Sequence, residues 1–244
     1  MEFPIGLLEI LRDAQHIVVL TGAGVSVESG IPTFRDAQTG LWARYRPQDL
    51  ATPEAFVRNP KLVWDWYAWR RELVRKTQPN PGHYALVEMQ RHAAQLTLIT
   101  QNVDGFHQQA GSKDVIELHG NLFRTKCFQE DTVVETWVET DVTPPLCPHC
   151  GGFLRPDVVW FGEPLPEAAS EAATRAATAC DVFFSIGTSG LVEPAASLAR
   201  IAQQQGAHVV EINPTETPLT RWASFVLPGP SGEVLPALVK TVWP

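Results

Sequence analysis

The stretch IVVLTGAGVS, residues 17–26, joins a strand pattern directly to a glycine-rich turn. Residues 17–21 are apolar or β-branched without polar alternation, which is typical of a parallel strand covered on both faces. Gly22 and Gly24 follow at once, and glycines after such a strand allow backbone N–H groups to approach a pyrophosphate. Gly30 lies too far along to complete the G-x-G-x-x-G spacing of dehydrogenases, and the turn lacks the lysine of a P-loop. The stretch therefore predicts the first strand of a nucleotide-binding sheet, with a tight turn that serves only helix packing as the alternative.

Short apolar runs recur along the chain and alternate with helical patterns. Further strands are predicted at residues 96–100, 182–186, 207–212 and 225–227, with a shorter one at 115–118. Helices are predicted at residues 82–92, 167–179, 194–205 and 232–243. This alternation predicts an α/β fold, a Rossmann-like doubly wound parallel sheet.

Two segments break this rhythm and predict a smaller inserted lobe. Residues 40–76 are aromatic-rich with a helical pattern, whereas residues 125–152 are polar, contain proline and hold three of the four cysteines. We therefore expect a Rossmann-like domain of residues 1–39, 77–124 and 153–244. The small lobe is expected to combine a helical insert, 40–76, with a zinc-ribbon-like insert, 125–152.

The composition argues against several classes of protein. The 244 residues carry a formal net charge of −8, which disfavours a basic nucleic-acid-binding surface and gives weak support to a lysine-rich partner. The N-terminal residues lack the basic and apolar regions of a signal peptide, and the longest apolar runs are as short as strands. Four clustered cysteines are too few for a disulfide framework. We expect a cytoplasmic protein that binds neither nucleic acid nor membrane.

Polar residues stand where predicted strands end, which is where open α/β sheets bind ligands. Gln101, Asn102 and Asp104 follow one strand, and their amide and carboxylate groups suit ribose hydroxyls and a carboxamide. Residues 187–189, Gly-Thr-Ser, follow another strand, and Asn213 follows a third; both suit phosphate or ribose. Each of these segments could instead be a polar loop that satisfies its own backbone.

His119 follows the predicted strand at 115–118 and stands immediately before Gly120. An isolated histidine is more often structural than catalytic. The adjacent glycine favours catalysis here, because it permits a ligand to approach closely. His119 is therefore a candidate functional residue, with a structural histidine as the alternative, and the other histidines, including His107, have no such setting.

Cys147 and Cys150 form a C-x-x-C pair of the kind that binds structural zinc. The second pair is broken, because Cys127 is followed by Glu130 where the other cysteine is expected. Zinc could be held by the three cysteines and Glu130 or Asp131, by a strained ligand from the histidine between the paired cysteines, or not at all. The broken pattern favours weakened or absent zinc.

Tyr67 and Arg70 lie three residues apart in a predicted helix and therefore share a mostly apolar face. A guanidinium on such a face needs an anionic partner, since burying an unpaired charge is unfavourable. That partner could be an internal carboxylate of the protein or the acid group of a ligand.

In chain order these motifs closely resemble the sirtuin family. Residues 22–26 and 30–35 match its first signature, residues 101–104 its Gln-Asn-x-Asp and residues 117–120 its Glu-x-His-Gly. The resemblance implies an NAD-dependent protein-lysine deacylase that acts on acyl-lysine proteins or peptides and releases nicotinamide and O-acyl-ADP-ribose. ADP-ribosyl transfer to protein and a non-catalytic NAD-sensing module are the alternatives, and the glycine spacing disfavours a dehydrogenase.

The resemblance also implies the residues that bind the cofactor and carry the reaction. His119 would be the general base, and Asn102 and Asp104 would complete the catalytic group. The cofactor contacts would come from the glycine-rich stretch, the strand ends and the last helix: Gly22, Ala23, Gly24, Ser26, Thr33, Phe34, Arg35, Trp42, Gln101, Asn102, Asp104, Gly187, Thr188, Ser189, Asn213 and Ser231.

Substrate recognition is implied for three further segments. The extended stretch 158–163 would pair with the substrate backbone as an added strand, with residues 192–194 on the other side. Sirtuins that remove succinyl and malonyl groups carry Tyr-x-x-Arg at the place of Tyr67 and Arg70. The implied substrate residues are Tyr67, Arg70, His119, Val159, Phe161, Gly162, Glu163 and Val192. Any zinc would be structural, with Cys127, Cys147 and Cys150 as its ligands.

Overall fold

A computed structural model describes residues 1–33, 45–138 and 140–244, and two sheets organise them. The strands are β1 (Ile17–Thr21), β2 (Leu96–Thr100), β3 (Ile116–Glu117), β4 (Gly120–Cys127), β5 (Leu154–Val158), β6 (Val182–Ile186), β7 (His208–Asn213) and β8 (Phe225–Pro228). Six strands form a parallel sheet in the order β3-β2-β1-β6-β7-β8, and β4 pairs antiparallel with β5. The order reverses between β1 and β6, which is the switch point at which such sheets bind ligands.

Helices cover both faces of the six-stranded sheet. They are α1 (Ile5–Asp13), α2 (Gly24–Val27), α3 (Pro47–Leu50), α4 (Pro53–Arg58), α5 (Pro60–Arg75), α6 (Pro81–His92), α7 (Phe106–Ala110), α8 (Glu167–Ala179), α9 (Ser197–Gln204) and α10 (Ser231–Val242). Val19 of β1 is buried with side chains of α6 and α10, whereas Val18 is buried with those of α8 and α9. Burial on both faces explains why the strand lacks polar alternation. None of the described helices combines the length and apolar character that crossing a bilayer requires.

A separate aromatic core lies between α5 and the β4–β5 pair. Phe56, Trp66, Tyr67, Phe106 and Trp160 are all fully buried in it. α5 begins where the sequence provides a cap: the Asn59 side chain accepts a hydrogen bond from the Leu62 N–H at 3.1 Å, and Pro60 occupies the first helical position. The face of α5 that carries Tyr67 packs against Trp160.

The predicted Rossmann-like fold is confirmed, but two local predictions are wrong. The helix predicted from residue 194 begins only at Ser197, because residues 194–196 form a turn in which the Ser197 N–H donates to the Pro194 carbonyl, three residues back. The stretch predicted to be extended to residue 163 leaves the strand after Val158 and turns, with Gly162 at a φ of 89°. This turn brings the side chain of Glu163 back towards β5.

Candidate active site

A cavity of about 1470 Å³ lies at the carboxyl ends of the parallel strands. Pockets for drug-sized ligands are roughly 300–1,000 Å³, so this one has room for a dinucleotide and part of a second molecule. Its walls include every described residue for which the sequence predicted a cofactor or substrate contact: Gly22, Ala23, Gly24, Ser26, Thr33, Tyr67, Arg70, Gln101, Asn102, Asp104, His119, Val159, Phe161, Gly162, Glu163, Gly187, Thr188, Ser189, Val192, Asn213 and Ser231. Phe34, Arg35 and Trp42 lie outside the described residues.

The glycines after β1 are required by a close contact with the turn after β6. A Cβ atom on Gly22 or on Gly24 would lie 2.8 Å from the Gly187 carbonyl oxygen. Gly187 has a φ of 60°, and a Cβ there would lie 2.5 Å from the Val25 nitrogen. The Gly24 N–H donates to the Gly187 carbonyl at 2.8 Å, and the Gly22 N–H donates to Ile186. These two N–H groups therefore join the two turns, and the close approach of the turns requires glycine at positions 22 and 24.

Asn102, Ser26 and Asp104 form a buried network behind the same turn. The Asn102 amide donates to the Gly22 carbonyl at 3.0 Å and to the Ser26 hydroxyl at 3.3 Å. The Ser26 hydroxyl donates to Asp104 at 2.7 Å, and the Phe106 N–H donates to the other carboxylate oxygen at 3.0 Å. Burial raises the pKa of Asp104, although these hydrogen bonds oppose the shift. The network fixes the loops after β1 and β2 relative to each other.

His119 is held in one tautomer by the loop after β2. Its Nδ1 atom lies 2.9 Å from the Gln101 carbonyl oxygen. A carbonyl oxygen can only accept, so Nδ1 carries the hydrogen and Nε2 of the neutral ring has the free lone pair. Burial lowers the pKa of His119, and the bond to Gln101 only partly opposes this. His119 is therefore a neutral, oriented base beside the cavity, whereas His107 is buried behind it with its Nε2 atom 2.8 Å from the Thr21 hydroxyl.

Tyr67 and Arg70 lie on one face of α5 at the wall of this cavity. The guanidinium carbon of Arg70 lies 5.2 Å from the centre of the Trp66 ring and 5.9 Å from that of Tyr67. Burial lowers the pKa of Arg70, while attraction to Tyr67 and Asp104 acts in the opposite direction. Burial raises the pKa of Tyr67 to about 12. The cavity wall thus combines a cation with a neutral phenol.

The remaining substrate candidates lie on the turn after β5 and on the loop after β6. Phe161 and Val192 each expose more than a third of their surface at the cavity. The Val159 N–H donates to the His119 carbonyl at 2.9 Å, which connects the turn to the candidate base. The Glu163 carboxylate instead accepts hydrogen bonds from Arg155 at 2.9 Å and from the Trp160 N–H at 2.8 Å. Glu163 therefore stabilises the turn from within the protein.

The sequence reading did not identify the residues that support this site from behind. Arg155 is buried and pairs with Glu163. Glu28 accepts hydrogen bonds from the Ser231 hydroxyl at 3.0 Å and from the Gly232 N–H at 2.9 Å, at the start of α10. The only available signal for Arg155 was a charged residue in a strand pattern, and Glu28 and Ser231 are too far apart in the chain for a local motif.

Cys127, Glu130, Cys147 and Cys150 converge beside the β4–β5 pair. Their candidate ligand atoms all lie within 4.8 Å of one another. Backbone N–H groups of Glu130 and Gly152 each point at a sulfur, of Cys127 and Cys150 respectively, at 3.4 Å. Three sulfurs and one carboxylate oxygen are acceptable ligands for tetrahedral zinc, and N–H donors stabilise thiolates. The residues fit a zinc ion in which Glu130 takes the place of the missing cysteine, while Cys180 is a buried core residue.

Comparison with known proteins identifies the family. Residues 22–194 match the model described as the Sir2 family. The NAD-dependent protein deacylase 2 of Pyrobaculum aerophilum is 52% identical over 96% of this chain and 94% of that protein. A solved Sir2 homologue–NAD complex has a TM-score of 0.92 at 48% identity, covering 99% of this chain and 94% of that one. A Sir2 protein bound to an acetylated peptide has a TM-score of 0.86 at 30% identity, covering 97% of each chain. The chain belongs to the Sir2 family, the sirtuins.

Proposed function

We propose that this chain is an NAD-dependent protein-lysine deacylase that prefers acidic acyl groups such as succinyl and malonyl. The deacylase activity is supported by the names of close relatives and by the assembly of His119, Asn102 and Asp104 in one cavity. The acidic preference is carried by one observation: Tyr67 and Arg70 line the same cavity as His119.

The cavity suits NAD as the consumed co-substrate. The ends of β1, β2, β6 and β7 supply amide, hydroxyl and backbone groups, and Ser231 lies at the start of α10. NAD supplies an ADP-ribosyl group to accept the acyl group, with nicotinamide as the leaving group. We assign recognition of the nicotinamide end to Asn102 and Asp104, because the loop after β2 that carries them also orients the candidate base.

His119 acts in this reaction by removing a proton from a hydroxyl group. The Gln101 carbonyl fixes Nδ1 as the protonated nitrogen, so Nε2 receives the proton. The lowered pKa of His119 keeps the ring neutral at physiological pH and so ready to accept that proton. General-base catalysis of this kind contributes roughly 10²–10⁴-fold to a rate.

Arg70 and Tyr67 determine the preferred acyl group through charge and hydrogen bonding. A carboxylate that enters this mostly apolar wall leaves water and needs a cation in return. Arg70 can meet it with two parallel N–H donors, and Tyr67 can add a hydroxyl donor. The methyl end of an acetyl group has no atom that accepts a hydrogen bond from either.

The acyl-lysine is proposed to arrive within a peptide or protein segment that lies across the cavity mouth. Exposed Phe161 and Val192 flank that mouth. An extended segment between them can add its backbone as a strand, a common mode of peptide recognition. Zinc at the Cys127 cluster is proposed to be structural, and cysteines that serve as metal ligands and not as disulfide partners fit a cytoplasmic location.

The proposal is tested with one peptide sequence that carries acetyl-, malonyl- or succinyl-lysine. The purified protein is incubated with an equimolar mixture of the three, with and without NAD, and each peptide is followed by mass spectrometry. We expect NAD-dependent loss of all three groups, with the malonyl and succinyl peptides consumed first. Faster loss of the acetyl group would refute the acidic preference, and no NAD-dependent loss would refute the deacylase activity.

A further inference from the structure

We propose that Trp160 is a specificity-determining positioning residue, which fixes the hydroxyl of Tyr67 as a hydrogen-bond donor towards the acyl group. This inference deepens the proposed preference for acidic acyl groups and rests on it. Trp160 belongs to the turn after β5, and Tyr67 belongs to α5, 93 positions away in the chain. No motif of the sequence connects the two residues.

The inference begins with one buried hydrogen bond. The indole Nε1–H of Trp160 donates to the hydroxyl oxygen of Tyr67 at 2.9 Å. Both side chains have essentially no exposed surface, and their rings are stacked with centroids 6.4 Å apart. An indole N–H can donate but never accept. The bond therefore has a fixed direction, unlike a bond between two hydroxyl groups.

This direction decides what Tyr67 can do for a ligand. Its hydroxyl hydrogen cannot point at the indole, because two hydrogens would then face each other, so it is directed away from Trp160. Burial raises the pKa of Tyr67 to about 12, which keeps that hydrogen in place. Accepting a bond from Trp160 also polarises the O–H group and strengthens it as a donor. A carboxylate accepts such a bond, whereas a methyl group cannot.

Trp160 is itself held firmly by a buried ion pair. The guanidinium carbon of Arg155 lies 3.2 Å from the centre of the Trp160 ring. Arg155 also donates to the Val158 carbonyl at 2.7 Å and to Glu163 at 2.9 Å. Glu163 in turn accepts from the Trp160 N–H at 2.8 Å. Burial opposes ionisation of Glu163, but the bonds from Arg155 and Trp160 outweigh it and lower the pKa of Glu163, so the pair stays charged. Both the backbone and the ring of Trp160 are thus fixed.

The test replaces the indole donor while keeping an aromatic ring. Trp160→Phe, Tyr67→Phe and the double variant are compared with the wild type on succinyl- and acetyl-lysine forms of one peptide, at saturating NAD. Trp64→Phe is the matched control. Trp64 lies on the same helix as Tyr67, but it is not among the residues that line the cavity, and its ring contacts Arg71 at 4.9 Å. The measured quantity is the ratio of the two kcat/KM values.

We expect Trp160→Phe to lower the succinyl-to-acetyl ratio by about two- to tenfold, the effect of one neutral hydrogen bond. The loss should appear mainly as a higher KM for the succinyl peptide. In the Tyr67→Phe background, Trp160→Phe should change the ratio no further, since the hydroxyl that it orients is absent. Trp64→Phe should leave the ratio unchanged.

The opposite results would overturn the inference. If the wild type prefers succinyl-lysine but Trp160→Phe keeps its ratio, the role of Trp160 is refuted and the proposed function stands. If the wild type shows no acidic preference, both are refuted. If Trp160→Phe does not fold, the test uses the indole N–H resonance of Trp160 in the NMR spectrum of the wild type. That resonance is assigned as the indole signal that shifts in Tyr67→Phe. It should move downfield when the succinyl peptide binds without NAD and not when the acetyl peptide binds; equal movements would refute the inference.

Discussion

Replacing Arg70 by methionine tests the charge in the acyl pocket while keeping the length of the side chain. Arg70 lies partly buried on α5, beside Trp66 and Tyr67, and lines the cavity that holds His119. A hydrogen bond to a charged group contributes about 1.5–3 kcal/mol, which corresponds to about ten- to a hundredfold in affinity. We expect Arg70→Met to lower kcat/KM for succinyl-lysine by about that factor. Removing a desolvated cation should leave activity on acetyl-lysine unchanged or higher.

The distribution of this loss between KM and kcat is also predicted. The distal carboxylate lies away from the bond that breaks, so its contact with Arg70 is present in both the bound substrate and the transition state. Loss of such a contact raises KM and leaves kcat nearly constant. Initial rates over a range of peptide concentrations, at saturating NAD, measure the two parameters separately for each acyl group.

Arg75→Met is the matched control, because Arg75 is an exposed arginine on the same helix, paired with Glu72. It removes the same charge from α5 and should leave both substrates unaffected, since surface pairs contribute little. The competing explanation is that Arg70 serves an internal carboxylate such as Asp104, to which it is electrostatically attracted. Arg70→Met would then lower both activities equally and reduce the melting temperature, and that result would refute the reasoning.

Three further predictions concern catalysis, metal binding and acid stability. His119→Ala should lower formation of the free lysine peptide by about 10²–10⁴-fold with an unchanged melting temperature; near-normal deacylation would remove His119 as the base. Glu130→Ala should lose zinc, measured by elemental analysis after mild chelation, and Glu130→Cys should retain it longer than the wild type; equal zinc in all three would exclude Glu130 as a ligand. Burial lowers the pKa of His107 to about 3 and that of His83 to about 4. As the pH falls, both histidines therefore become protonated in the unfolded chain before they do so in the folded protein. The stability from these neutral rings is fully present above about pH 6.5 and is lost as the pH falls towards 3, by up to about 1.4 kcal/mol per unit and group. His107→Asn should flatten the fall in unfolding free energy between those pH values in denaturant titrations, and parallel pH profiles would contradict this.

The sequence predicted best what local chemistry determines. The β-branched runs placed β1, β2 and β6 correctly because each is buried on both faces, which removes polar alternation. The polar residues at the strand ends were predicted to bind a ligand, and they line one cavity because parallel strands end at one edge of the sheet. Gly22 and Gly24 were singled out correctly, but the structure explains them by the contact with Gly187, which no local motif reports.

Long-range partners were beyond the reach of the sequence. The substrate contact of the segment that ends at Glu163 stays a prediction, but the sequence did not indicate that the Glu163 carboxylate accepts a hydrogen bond from Arg155 after the chain turns at Gly162. Trp160 and Tyr67 are 93 positions apart, and only packing of the β4–β5 pair against α5 brings them together. Contacts of Phe34 with the cofactor, and the boundaries of the two lobes, stay predictions.

The central claim, transfer of an acyl group from lysine to the ADP-ribosyl part of NAD, is tested most directly by its products. The protein is incubated with NAD and a succinyl-lysine peptide, and all products are quantified by mass spectrometry with ultraviolet detection of reduced cofactor. We predict free lysine peptide, nicotinamide and O-succinyl-ADP-ribose in equimolar amounts, with no reduced cofactor. Free succinate without nicotinamide, an ADP-ribosylated peptide as the main product, or reduced NAD would each contradict the account.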